Sequence, residues 1–176
     1  MREALLIVDV QHDFLPGGAL AVPDGDAVLA PIAELAGSGR FDLVVATRDW
    51  HPPDHGSFAD AGGPWPPHCV RDTHGAQLHA HVEPLADAVV DKGREPGAEG
   101  YSAFENPALR ALLRDHGVEA VTVVGLATDY CVRHTARDAV RHGFRVTIAT
   151  GAVRGIDPEH AAAALHELQE LGAEIA

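Results

Sequence analysis

Five short apolar runs restrict what this chain can become more than any other feature: Ala4 to Val10, Leu43 to Thr47, Ala88 to Lys92, Val121 to Val124 and Phe144 to Ala149. Runs of this length, rich in Val, Ile and Leu and largely without polar alternation, read as strands buried on both faces. Between them lie segments with helical apolar spacing, at Asp26 to Leu35, Leu109 to His116, Cys131 to His142 and Pro158 to Leu171. Strand alternating with helix predicts an α/β fold, a doubly wound, mainly parallel sheet of about six strands flanked by helices, with Ala173 to Ala176 as a truncated last strand. Such sheets bind ligands beyond the carboxyl ends of their strands. The residues with chemical capability fall there: Asp9, Asp49 and His51, Lys92, and Cys131.

At 176 residues the chain suits one domain spanning 1–176 with a sizeable core. The formal net charge of -13 argues against nucleic acid or an anionic membrane as partner, because both demand clustered positive charge. A small-molecule substrate is the expectation that remains. The apolar stretch at Ala4 is too short for a signal peptide and no run approaches membrane-spanning length, so a cytoplasmic location is expected. Two cysteines, Cys69 and Cys131, make no disulfide framework. Of the 13 basic residues, Lys92 is the single lysine. An ammonium is a compact charge whose proton responds to burial, and arginine does not substitute for it in a catalytic role.

Val121 to Val124 breaks at Gly125, and the helical pattern begins at Cys131, which is therefore expected in the first turn of a helix. Free N–H groups and the positive end of the helix dipole would favour a thiolate there, and the turn from Ala127 to Cys131 offers donors for an oxyanion. An inert buried cysteine accounts for this stretch equally well. Asp9 closes an apolar run where an unpaired carboxylate is costly, so it is either an acid or base, or a strand-end cap. Asp49 and His51, two apart on an extended segment, face the same way, and His68 on a Pro-stiffened loop completes a carboxylate and two imidazoles suited to a divalent metal. His55 is a fourth candidate ligand. Twelve histidines are scattered along the chain, and most read as solvated. Cys69 reads as packing, and Phe14 as either core or a stacking surface for a flat ring. The loop from Gly93 to Gly100 is long enough to line a site.

The blocks Val8-Asp9-Val10-Gln11-His12-Asp13-Phe14, Thr47-Arg48-Asp49-Trp50-His51-Pro52, Trp65-Pro66-Pro67-His68-Cys69, Asp91-Lys92-Gly93, Tyr101-Ser102-Ala103-Phe104 and Gly125-Leu126-Ala127-Thr128-Asp129-Tyr130-Cys131 occur in this order along nearly the whole chain. Together they resemble the isochorismatase-like cysteine hydrolases, a Rossmann-like three-layer fold, and within that family its nicotinamidase branch. The resemblance implies a triad of Asp9, Lys92 and Cys131, and an oxyanion hole from Ala127 and Cys131 next to a cis Leu126-Ala127 peptide. It also implies a divalent metal, zinc first with iron or manganese as alternatives, on Asp49, His51 and His68. A carboxamide substrate would lie against Phe14, Trp65, Tyr101 and Leu126 and be hydrolysed through a thioester, a step in pyridine-nucleotide salvage. The chain departs from the family at Glu99-Gly100, where Asp-Ser is frequent. Two other readings stay open: an amidase or ureidase of the same family acting on a non-aromatic amide, and a non-catalytic, metal-stabilised binding protein. A homo-oligomer is compatible with all three.

Overall fold

The computed structural model describes residues 1–176. Six strands form one sheet: β1 (Arg2–Val8), β2 (Leu43–Asp49), β3 (Ala88–Lys92), β4 (Val118–Leu126), β5 (Arg145–Arg154) and β6 (Glu174–Ile175). Their order is β3-β2-β1-β4-β5-β6 and every neighbouring pair is parallel. The chain winds outward in one direction from β1 to β3 and in the other from β4 to β6. The switch therefore lies between β1 and β4, where crevices open beyond the strand ends.

Four helices flank the sheet: α1 (Leu29–Gly37), α2 (Pro107–Asp115), α3 (Arg133–Arg141) and α4 (Pro158–Glu170). Successive side chains of β1 divide between two cores, as a strand's period of two requires. Ala4, Leu6 and Val8 join Leu109, Leu113, Ala136, Ala139 and Leu168 from α2, α3 and α4. Leu5 and Ile7 join Ile32 of α1 with Phe14, Val22, Leu78 and Val82 from the connecting loops. Burial on both faces is why the central strands read as unbroken apolar runs. No helix is long and apolar enough to cross a membrane.

The structure differs locally from the sequence expectation. The first run ends as a strand at Val8, and Asp9 lies beyond it with φ 51°. The first helix is preceded by a 3₁₀ turn at Gly25–Val28. Cys131 lies not in the first α-helical turn but in a single π turn, Thr128–Val132, that precedes α3. Beyond its pairing of Val123 with Ile148, β5 shifts register and resumes with Gly125 opposite Val153, which carries it past Ala149 to Arg154.

Candidate active site

Strand ends β1 to β4 bring the predicted groups together. The Lys92 ammonium is fully enclosed and lies 2.8 Å from Asp9 Oδ2 and 2.6 Å from Asp49 Oδ1. It also donates to Gly100 O at 2.5 Å and to Cys131 Sγ at 3.3 Å. Asp9 has no exposed surface, and its Oδ1 accepts from Thr47 Oγ1 at 2.8 Å. Its Oδ2 has no aligned hydrogen-bond donor in spite of the nearby ammonium. Acceptor and thiol atoms of Asp9, Asp49 and Cys131 lie within 4.8 Å of one another.

Burial and charge set the protonation states. Desolvation raises the Asp9 carboxyl above its usual range and outweighs the lowering effect of Lys92. Desolvation works against the Lys92 ammonium, but Asp49, Asp9 and Cys131 hold it charged well above the ordinary lysine range. The Cys131 thiol is pushed well up, first by burial and then by the two carboxylates, against the pull of Lys92. The expectation of a thiolate favoured by the first turn of an α-helix is thereby corrected: Cys131 lies in a π turn, where burial and the two carboxylates favour the protonated sulfur.

Asp49 divides its oxygens. Oδ1 meets Lys92, while Oδ2 lies 3.3 Å from His51 Nε2 and 3.8 Å from His68 Nε2. These three residues are buried, and one ligand atom from each lies within 4.8 Å of the others. His51 Nδ1 is engaged with Gly93 O at 2.7 Å and His68 Nδ1 with Pro66 O at 2.8 Å. A carbonyl only accepts, so those bonds place a proton on Nδ1 of each ring and leave both Nε2 atoms beside the same carboxylate oxygen, the orientation a cation needs. One carboxylate and two neutral imidazoles suit a divalent transition metal with open positions. Gln11 holds Asp49 in place, accepting from its N–H and donating to its C=O, both at 2.8 Å.

His55 is stacked on His51 with ring centroids 3.9 Å apart, and its Nδ1 is engaged with Ser57 Oγ. Its Nε2 is buried without a partner, and burial with the neighbouring imidazole lowers the ring to about 4, so it stays neutral. His55 is not among the three residues whose ligand atoms converge. Cys69 is buried packing, as expected.

Above Cys131 is a cleft of about 30 Å³, lined by Phe14, Trp65, Tyr101 and Ala127 as well as Asp49 and His68. Trp65 Nε1 donates to the Tyr101 hydroxyl at 3.0 Å. Sequence reasoning missed four wall residues, Leu20, Val22, Tyr130 and Ile156. Tyr130 had a usable signal, its place beside Cys131; the others come from distant loops. Leu126, expected against substrate, is a correction: it has no exposed surface and packs in the apolar core on the α1 side of the sheet. At the end of a strand buried on both faces, its side chain points into that core, and Ala127 takes the place at the cleft. The Leu126-Ala127 peptide is cis, as the resemblance implied.

Known proteins resemble this chain in sequence and in fold. The isochorismatase domain model matches residues 3–176. The chain is 41% identical to the nicotinamidase of Escherichia coli, over 97% of this chain and 92% of that one. It is 43% identical to the nicotinamidase/pyrazinamidase of Mycobacterium tuberculosis, over 98% and 97%. The zinc complex of the pyrazinamidase of Pyrococcus horikoshii superposes with a TM-score of 0.93 at 46% identity, covering 100% of this chain and 99% of that one. With a doubly wound parallel sheet, a buried Asp, Lys and Cys at its strand ends, and a family model matched over residues 3–176, the chain belongs to the isochorismatase family.

Proposed function

We propose that this chain is an amidohydrolase that converts nicotinamide to nicotinate and ammonia, and pyrazinamide to pyrazinoate, through a thioester on Cys131. The observation that carries the reading is the single buried ammonium in contact with Asp9, Asp49 and Cys131 at once. Asp9 Oδ2 takes the thiol proton as sulfur attacks the carboxamide carbon, so a buried thiol reacts without first paying for an isolated thiolate. Lys92, 2.8 Å from that oxygen, opposes the desolvation that raises Asp9 and then faces the charge left by the transfer. N–H groups of Ala127 and Cys131 receive the oxyanion. Asp9 returns its proton to the nitrogen, and ammonia leaves as the thioester forms. Asp9 next deprotonates a water that attacks the thioester, and sulfur departs with the proton back on it.

Asp49, His51 and His68 would hold a divalent cation, which we assign as zinc with iron or manganese as alternatives. When bound, it supplies a Lewis-acid point for the lone pair of the ring nitrogen. Phe14, Trp65, Tyr101 and Tyr130 would face the ring, an aromatic lining suited to a flat heterocycle. We place the reaction in the cytoplasm, in pyridine-nucleotide salvage, and read the 176 residues as one domain. Ammonia release from nicotinamide, pyrazinamide and carbamoyl compounds tests the assignment, with Cys131→Ala as control. Turnover of the two aromatic amides, abolished in the variant, is the expected outcome. Release from carbamoyl compounds alone would transfer the site to a ureidase, and unreduced turnover in the variant would remove Cys131 as nucleophile.

A further inference from the structure

Glu105 lies outside the groups described so far, at the end of the 3₁₀ turn Ala103–Glu105. Its two carboxylate oxygens accept from two backbone N–H groups, Oε2 from Gly93 at 2.9 Å and Oε1 from Gly100 at 3.0 Å. The carbonyls of those same residues point inward. Gly93 O engages His51 Nδ1 at 2.7 Å, and Gly100 O accepts from Lys92 Nζ at 2.5 Å. One carboxylate thus closes both ends of the Gly93 to Gly100 loop and fixes the two acceptors that orient a candidate metal ligand and the ammonium. Space there is tight: a Cβ on Gly93 would lie 2.4 Å from the His51 ring, so the loop backbone itself forms the wall behind the imidazole.

From this double bridge we infer that Glu105 is a positioning residue for both halves of the site, acting on His51 through Gly93 and on Lys92 through Gly100. The inference rests on the metal assignment above. A carboxylate is suited to the task because it offers only acceptors. An amide of the same shape turns one oxygen into an NH₂ that faces an N–H, so Glu105→Gln keeps the volume and loses one end of the bridge. Partners behind a metal ligand alter metal affinity by about 10–100-fold when removed. Glu105 acts one bond further out from a solvent-facing position, so the lower end of that range, about 10-fold, is expected.

The experiment measures zinc affinity of the metal-free protein by chelator competition, and then kcat and KM for nicotinamide at saturating zinc. Ser102→Ala serves as the control for general loosening. It removes the cap of the same turn, the Phe104 N–H to Ser102 Oγ bond, without touching Gly93 or Gly100. Glu105→Gln is expected to bind zinc about 10-fold more weakly. At saturating zinc its kcat should stay several-fold low, because added metal reoccupies the His51 side and does nothing for the Gly100 contact with Lys92. Ser102→Ala should hold zinc affinity and kcat within about twofold of wild type. Glu105→Asp, too short to span both N–H groups, should fall between. Equal zinc affinity and kcat in Glu105→Gln and wild type would overturn the inference, and so would an equal loss in Ser102→Ala. A wild-type chain that takes up no divalent cation would instead overturn the metal assignment itself.

Discussion

Asp129 gives the sharpest test of how the turn carrying Cys131 is held. Its carboxylate is 4% exposed, and each oxygen accepts one backbone N–H, from Ile156 and from Asp157, both at 3.0 Å. These bonds tie the π turn to the start of α4 and set Ile156 in the cleft wall. In Asp129→Asn the side chain keeps its shape, one bond survives as a neutral one, and the other becomes a donor facing a donor. Hydrogen bonds to charged groups contribute about 1.5–3 kcal/mol each, and a stranded buried donor costs about 1–3 kcal/mol. Allowing for partial relaxation, Asp129→Asn should lose about 2–4 kcal/mol, and Asp129→Ala, which loses both bonds, about 3–6 kcal/mol. Against a total stability of about 5–15 kcal/mol the Asn variant still folds. Equilibrium urea denaturation at constant m-value reads the loss directly, and the thermal midpoint should drop by about 5–10 °C. Because Ile156 then moves, KM for nicotinamide should rise more than kcat falls. An Asn variant within about 0.5 kcal/mol of wild type would refute the bridge as a structural element.

Three other outcomes follow from the same geometry. Gly125 has φ +109°, and a Cβ there would lie 2.1 Å from the Val8 carbonyl oxygen, so Gly125→Ala adds backbone strain of about 1–3 kcal/mol to a similar overpacking cost. A stability loss below about 1 kcal/mol in urea would contradict that sum. Lys92→Arg should lower kcat by about 100-fold or more, since the fork of a guanidinium cannot occupy a fully enclosed site shaped around one ammonium with contacts to Asp9, Asp49, Gly100 and Cys131; wild-type rates would remove the case for lysine. Chelation followed by gel filtration should lower kcat/KM by about 10-fold or more, with bound metal and activity returning together on zinc addition, and unchanged activity in metal-free protein would refute the Asp49, His51 and His68 assignment.

The sheet was legible because its signals are local. Val8, Val45, Val90 and Val123 lie in short apolar runs without polar alternation, the pattern of strands buried on both faces, and the reactive groups sit at or just past the ends of those runs. Lys92 stood out by being the single lysine, and it occupies the centre of the polar cluster. What the sequence concealed depends on contacts between distant segments. Gln11 grips the backbone of Asp49, Asp129 grips that of Ile156, and Glu105 bridges Gly93 and Gly100, none of which leaves a periodic trace. Leu126 was misplaced because adjacency to Ala127 says nothing about which way a side chain turns at a strand end. The thiol was misjudged for a related reason. A helix start is visible in sequence, whereas the depth of burial that raises Cys131 is not.

That burial also decides which group does what. Five candidates surround the sulfur or its neighbours: Asp9, Asp49, Lys92, His51 and His68. Lys92 is held charged by two carboxylates, so it has no lone pair to offer the thiol proton. Asp49 is held well below the usual carboxylate range, with burial opposed and outweighed by Lys92 and the two histidines, and its oxygens are already divided between them. His51 and His68 have their Nδ1 atoms committed to carbonyls and their Nε2 atoms beside Asp49. Asp9 alone combines a raised carboxyl with an oxygen that carries no aligned hydrogen bond: Thr47 occupies Oδ1, Oδ2 meets only the Lys92 ion pair, and a carboxylate oxygen lies within 4.8 Å of Cys131 Sγ. A proton moving from Sγ to Oδ2 keeps the net charge of the pocket unchanged, whereas ionising the thiol to solvent would add an anion to a place already holding two carboxylates. Low dielectric makes that second route the costly one, which is why a raised thiol and a raised carboxyl, unfavourable singly, form a working pair.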